Sequence, residues 1–284
     1  APGRRALLRV VVTMVSARLA GHLAVRGIDG DLWHRVVLLG VRLDDAAGVE
    51  AIYARRLEAR VDLGALRHGR VHVRDLRIDG ARLTMRHLGD NRFNLAALTR
   101  PAPPERKPPA QTAQKPARLV EIDHFRVQFD GAYHPPRGHE SHPLEWPHGT
   151  FDIEGAARFR GGEMYFRVDR LVSEARDPLS AHVEVHGGLR VTPRGTPAGK
   201  TELTFEHVEV TATSDGTELA RLDPRLHPRG RWQLHAEGGG PLADLRAHAV
   251  VSAPRGSLTI DGTLARLSPG VRWTARVAGA GLDP

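Results

Sequence analysis

The stretch RVHVRDLRIDGARLTMR, residues 70–86, constrains the fold more than any other feature of the chain. Val71 and Val73, then Leu76 and Ile78, then Leu83 and Met85 are set two apart, with Arg70, His72, Arg74, Arg77, Arg82 and Arg86 between and beside them. A period of two belongs to a strand with one wet face and one dry face. The question for the fold is therefore what the dry face touches.

The same texture fills most of the chain. Val37, Leu39, Val41 and Leu43 alternate, as do Leu57, Ala59, Val61 and Leu63. After an interruption it resumes at Val120, Ile122, Phe125, Val127 and Phe129. Further sets run through Phe151 and Ile153, Met164 and Phe166, Val183 and Val185, Leu203 and Phe205, and Val208 and Val210. Leu258, Ile260 and Leu264, then Trp273, Ala275 and Val277, close the series. The phase slips at Arg74-Asp75, at His124 and at Glu206-His207. A one-residue slip is the sequence trace of a β-bulge, and recurrent bulges bend and twist a sheet.

The interruption, PAPPERKPPAQTAQKPA at residues 101–117, cannot bury surface and reads as a polyproline-like linker or loop. Aromatic residues make up 5% of the chain, so any core rests on Val, Leu, Ile and Ala; 30 Gly and 20 Pro suit many turns. No convincing helical run follows residue 21, so no helix layer is expected over the dry face. The sheet either closes on itself as a sandwich or stays curled with an apolar trough that a ligand must cover. Composition by itself favours the closed sandwich.

Residues 4–20, RRALLRVVVTMVSARLA, place Leu8, Val11, Val12, Val15 and Leu19 at helical spacing opposite Arg9, Thr13 and Ser16. They read as an amphipathic helix, on a membrane surface or capping a sheet end. No run of about 18 apolar residues is present to span a bilayer. The first residues, Ala1-Pro2-Gly3 without an initiator Met, read as a processed or partial chain.

The net charge of +8 invites a nucleic-acid reading. Only Lys107, Lys115 and Lys200 are lysines, however, and the many arginines are spread along every strand without forming a block. A solvated face or contact with anionic headgroups fits better, and no nucleic-acid partner is expected. Cysteine is absent, which excludes disulfides, thiolate metal sites and thiol catalysis.

Residues 21–100 resemble the N-terminal region of the AsmA/TamB family. The likeness lies in the order of pieces: GIDGDLW, then LLGVRLDDAAGVE, then ARRLEARVDLGALRHGRVHVRDLRIDGARLTMRH, closed by GDNRFNLAAL and followed by the Pro-rich insert. RLVEIDHFRVQFDGA, residues 118–132, looks like the next strand of that pattern; beyond about residue 140 only generic β texture continues. The resemblance implies a mainly β fold, a long curled antiparallel sheet with a taco-like trough that conducts lipids. It implies a periplasmic location on the inner membrane of a Gram-negative bacterium, through an N-terminal anchor missing here, and links to outer-membrane assembly.

The resulting expectation is a segment of a longer protein, with residues 1–20 a helix, 21–100 an N-terminal β unit, 101–117 a linker or loop and 118–284 a continuing β region. Phospholipid acyl chains would lie along Val37, Leu39, Val41, Leu43, Leu57, Val61, Leu63, Val71, Val73, Leu76 and Ile78. A structural or adaptor β module in envelope assembly is the alternative, and an outer-membrane assembly protein the protein partner in view.

Signals for chemistry are thin, and no enzyme, metal or cofactor is expected. In residues 130–149, His134, His139, His142 and His148 stand near Glu140 and Glu145, which opens a second alternative, a metal-dependent hydrolase. Yet HESH lacks the spacing that puts two imidazoles one helical turn apart, and three prolines oppose a helix. Asp29 and Asp31 read as a tight turn, since the other ligands of a calcium loop are absent. The glycines at 238–240 precede no helix that could cradle a phosphate. Trp33, Trp146, Trp232 and Trp273 are too widely spaced for a sugar-stacking surface and read as packing residues.

Overall fold

The computed structural model describes residues 21–31, 34–66, 68–86, 94–95, 98, 119–134, 146–160, 163–175, 181–193, 201–219, 229–267 and 270–281. The expected helix at 4–20, the linker at 101–117 and most of the histidine loop lie outside them.

Among the described residues the fold is almost entirely β. The strands are β1 (His22–Gly30), β2 (Arg35–Asp44), β3 (Glu50–Asp62), β4 (Arg70–Arg86), β5 (Leu119–His134), β6 (Trp146–Arg160) and β7 (Glu163–Ala175). They continue as β8 (Ala181–Pro193), β9 (Thr201–Asp215), β10 (Arg231–Pro241), β11 (Leu245–Ser252), β12 (Ser257–Leu267) and β13 (Gly270–Ala280). Two one-turn helices, α1 (Leu63–Leu66) and α2 (Gly216–Leu219), follow β3 and β9. The strands form one sheet in strict chain order, with β1 and β13 at its two ends. None of the described helices is long and apolar enough to cross a membrane.

The chain divides into two compact units, residues 1–122 with 126–148, and residues 123–125 with 149–284. In the first, β1 to β4 are antiparallel neighbours, and their register sorts the side chains. Partners in an antiparallel pair share a face. One rung reads Ile28, Leu38, Leu57, Ile78; another reads Leu23, Leu43, Ile52, Leu83. Between them the rung of Arg26, Gly40, Arg55 and Gly80 is left unpaired, and both glycines have φ of +59°. A left-handed residue breaks the two-residue alternation. Arg55 lies against Gly80 while its chain neighbour Arg56 bonds Glu58, so two consecutive side chains serve the charged face. The apolar phase moves by one at this same rung on all four strands, which keeps the apolar residues on one side.

The second unit repeats the device. Register shifts fall at Glu154/Gly155, Val168/Leu171, His186/Gly188 and Gly238/Gly240, one on each successive pair from β6–β7 to β9–β10. The slip expected at Glu206-His207 is one of these, and His207 takes φ 43° there. The slip expected at Arg74-Asp75 is the shift opposite Arg60/Val61.

Among its described residues neither unit has an ordinary core. The buried apolar residues among those described are Val37, Ala51, Ala54, Ala81, Leu98, Ala157 and Val191, most of them small. Most Leu, Ile and Val side chains of the apolar rungs are only partly buried, and Val277 is 55% exposed. A closed two-layer domain would bury them.

Polar clamps hold the strand ends instead. Asn94 is 1% exposed. Its Oδ1 accepts from the Arg86 amide at 2.8 Å, and its Nδ2 donates to the Thr84 carbonyl at 2.9 Å, so the side chain acts as one more strand residue beside β4. Asp45 accepts from the amides of Ala47 and Val49 and from the Arg86 guanidinium. Burial pushes the Asp45 carboxyl up, but the Val49 and Arg86 hydrogen bonds outweigh it and hold the group below its usual range. Asn94→Ala should therefore cost about 2 kcal/mol in urea unfolding, because it orphans two backbone groups at a buried site. Asn94→Asp, which has no amide to donate to Thr84, should not restore the loss.

Candidate functional site

In each unit two surfaces stand out, on opposite faces of its strands. The first is the apolar face. In the first unit its rungs are Ile28-Leu38-Leu57-Ile78, Val36-Ala59-Leu76, Val25-Val41-Ala54-Ala81 and Leu23-Leu43-Ile52-Leu83, with Val61 opposite Val73. In the second unit one rung crosses eight strands: Ile153, Leu171, Val185, Val210, Ala236, Ala249, Ile260 and Val277. Its neighbour two residues away runs Phe151, Ser173, Val183, Ala212, Leu234, Val251, Leu258 and Gly279. Such rungs form because β-branched and aliphatic residues directly opposite each other pack on the pleated surface.

Most of the residues expected to line a lipid face meet on this one. Leu57, Val61, Val73, Leu76 and Ile78 share it by direct pairing, Val71 by its two-residue distance from Val73, and Val41 and Leu43 by the slip at the Gly40 rung. Val37 and Leu39 do not. Val37 pairs with Asp29 and Glu58, and Leu39 with Gly27 and Arg56, on the charged face. Val36 and Leu38 stand in the apolar rungs in their place. Both readings of VVLLGV alternate equally well; the positive φ of Gly40 selects the second. Leu63 opens α1, beyond the end of β3. Ala236 and Ala249 escaped the sequence reading because alanine carries little hydrophobic signal, and Leu171 because it sits just beyond a bulge. Trp232 and Trp273 belong to the apolar side: Trp232 lies two residues from Leu234, and Trp273, 72% exposed, pairs with Leu264.

The second surface is the charged face. In the first unit the Arg35 Nε donates to Glu58 at 2.6 Å and its Nη2 at 3.1 Å, while the Arg56 Nη2 donates to the same carboxylate at 2.7 Å. These hydrogen bonds, Arg35 first and Arg56 next, hold the Glu58 carboxyl down at about 2. Arg82 stacks over the Tyr53 ring at 4.6 Å and donates to Glu50 at 2.9 Å. In the second unit a charged rung lies one residue from the long apolar one: His186, Glu209, Glu237, His248, Asp261, Arg276. His248 and Asp261 are hydrogen-bonded at 2.7 Å.

The remaining motifs resolve locally. Asp31 accepts from the amides of His34 at 2.7 Å and Arg35 at 2.9 Å, closing a turn. The glycines at 238–240 sit at the β9–β10 register shift, where a Cβ on Gly238 would lie 2.5 Å from the Arg246 carbonyl oxygen. No group of three or more His, Asp or Glu placed to hold a metal occurs among the described residues; residues 135–145 lie outside them.

What these surfaces define is a class: an antiparallel β protein whose strands, within each unit, carry one apolar face and one charged face. None of the protein families, curated proteins or solved structures compared with the chain matches it.

The Glu58 cluster sets a pH dependence. A carboxyl lowered from 4.5 to about 2 contributes stability that is complete above 4.5 and lost as pH falls toward 2. Glu58→Gln should lower stability at neutral pH by on the order of 1 kcal/mol, given how exposed its arginine partners are. The variant's denaturation midpoint should change less than the parent's across that acid window.

Proposed function

We propose that this chain is a lipid-binding segment of an AsmA/TamB-like envelope protein, in which phospholipid acyl chains lie along the apolar face of a curled β trough. The observation that carries the reading is the set of unbroken apolar rungs whose Leu, Ile and Val side chains are only partly buried. Apolar area of that extent is normally covered by a partner or ligand. At about 25 cal/mol per Å² covered, many small side chains hold an acyl chain firmly in total while no single position dominates. A chain held this way slides along the rungs, as a conduit between membranes requires. The coordinated bulges support the trough, because bulges aligned on successive strands bend them together. The order of pieces in residues 21–100 supports the family and, with it, a periplasmic, inner-membrane-anchored location and an outer-membrane assembly partner.

The test is native mass spectrometry with lipid extraction on the chain purified from a bacterial envelope. Phospholipid should copurify, Leu57→Glu on the apolar face should lower its amount while leaving the circular dichroism β signal, and Leu39→Glu on the charged face should leave it unchanged. Lipid-free parent protein, or equal loss in both variants, would sink the acyl-chain reading. An unfolded Leu57→Glu would mean that protein already covers this face, and the adaptor reading would replace it.

A further inference from the structure

We infer that the charged face of β10 to β13 holds a separate binding site for a small phosphorylated polyol, a ligand with one phosphoryl group and neighbouring hydroxyls. A groove of about 980 Å³ lies there. Its lining contains no Leu, Ile, Val, Met, Phe, Tyr or Trp, so neither an acyl chain nor an aromatic ring finds a surface to pack on. The middle of its floor is the backbone of Gly238, Ala247, Gly262 and Ala275, a rung whose side-chain positions belong to the opposite face, between the two charged-face rungs.

The polar groups divide into donors and acceptors. Arg246 shares a rung with Thr263 and Thr274, whose hydroxyls are bonded to each other at 2.6 Å. Arg276 lies two residues along and two strands across from Arg246, about 12 Å between backbones at the usual strand spacing and rise. A phosphoryl group above Thr263 lies between the two guanidiniums, the geometry in which arginine binds phosphate well. Arg276 has no ion-pair partner among the described residues, and Arg246 meets Asp244 only at 3.5 Å. Glu237 and Asp261 occupy the other rung and would repel a bare dianion. They are the right acceptors for hydroxyls beside the phosphate, with the His248–Asp261 hydrogen bond holding that carboxylate in place. Only a ligand bearing both functions satisfies the whole groove.

His207, whose positive φ belongs to the β9 bulge, lines the same groove from β9.

The phosphorylated polyol has two sources, a soluble sugar or glycerol phosphate and a lipid headgroup of the same chemistry. The test titrates the full chain with glycerol 3-phosphate, inorganic phosphate and glycerol, followed by calorimetry and amide NMR. Glycerol 3-phosphate should bind saturably and more tightly than inorganic phosphate, glycerol should not bind, and the shifted amides should cluster between residues 237 and 276. Arg276→Gln and, separately, Arg246→Gln should each weaken binding roughly tenfold or more. Glu237→Gln should erode the preference over inorganic phosphate. Leu57→Glu should leave all of this unchanged, which separates the site from acyl-chain binding. Competition by glycerol 3-phosphate against phosphatidylglycerol vesicles would identify the headgroup as the source, and its absence the soluble ligand. No saturable binding, or binding indifferent to both arginine variants, would overturn the assignment.

Discussion

Everything in this structure depends on the cross-strand rung. In an antiparallel sheet, residues opposite each other share a face, and a slip of one residue sends a whole strand's side chains to the other side. A sheet packed in two layers can absorb local disorder in that pattern, because a second layer fills gaps. Here the described parts of each unit have no such layer, and the segregation of apolar from charged side chains rests on register alone. The eight-strand rung from Ile153 to Val277 and the charged rung from His186 to Arg276 are one residue apart along their strands. One misplaced residue would interleave them.

Bulges would ordinarily cause that interleaving. Both units avoid it by placing the irregularity on neighbouring strands at the same height. In the first unit the unpaired rung runs through Arg26, Gly40, Arg55 and Gly80; in the second the shifts step from Gly155 to Gly240. When every strand slips together, opposite residues still match, and the sheet gains bend without losing its two faces. Glycine at 40 and 80 is what permits it: each takes φ of +59°, and a Cβ there would press on the arginine lying across it. Clusters such as Arg35-Glu58-Arg56 tie strands together from the wet side, where hydrogen-bonded ion pairs cost little desolvation.

Much of this was legible before any coordinates. The strands are readable from alternation, and the bulges at Arg74-Asp75 and Glu206-His207 from broken phase. Asn94 carries a signal too, since GDNRFNLAAL closes the patterned region, but only the folded chain reveals its amide bonding Thr84 and Arg86. Val37 and Leu39 mark the limit. Their stretch, VVLLGV, alternates in either phase, and hydrophobicity cannot choose between Val36-Leu38 and Val37-Leu39. The groove on the charged face was illegible for another reason. Its parts come from five strands, and no single strand's sequence distinguishes a binding arginine from a solvated one.

The sequence by itself determined that this chain is β, that its strands carry one dry and one wet face, and that they bend. Those properties follow from period, branching and turn residues, which act over a few neighbours along the chain. The tertiary structure alone decided which residues share each face, where the slips line up, and that Arg246, Thr263 and Arg276 gather in one groove. These are outcomes of register, and register is settled between strands, by the sum of many weak cross-strand contacts that no local stretch contains.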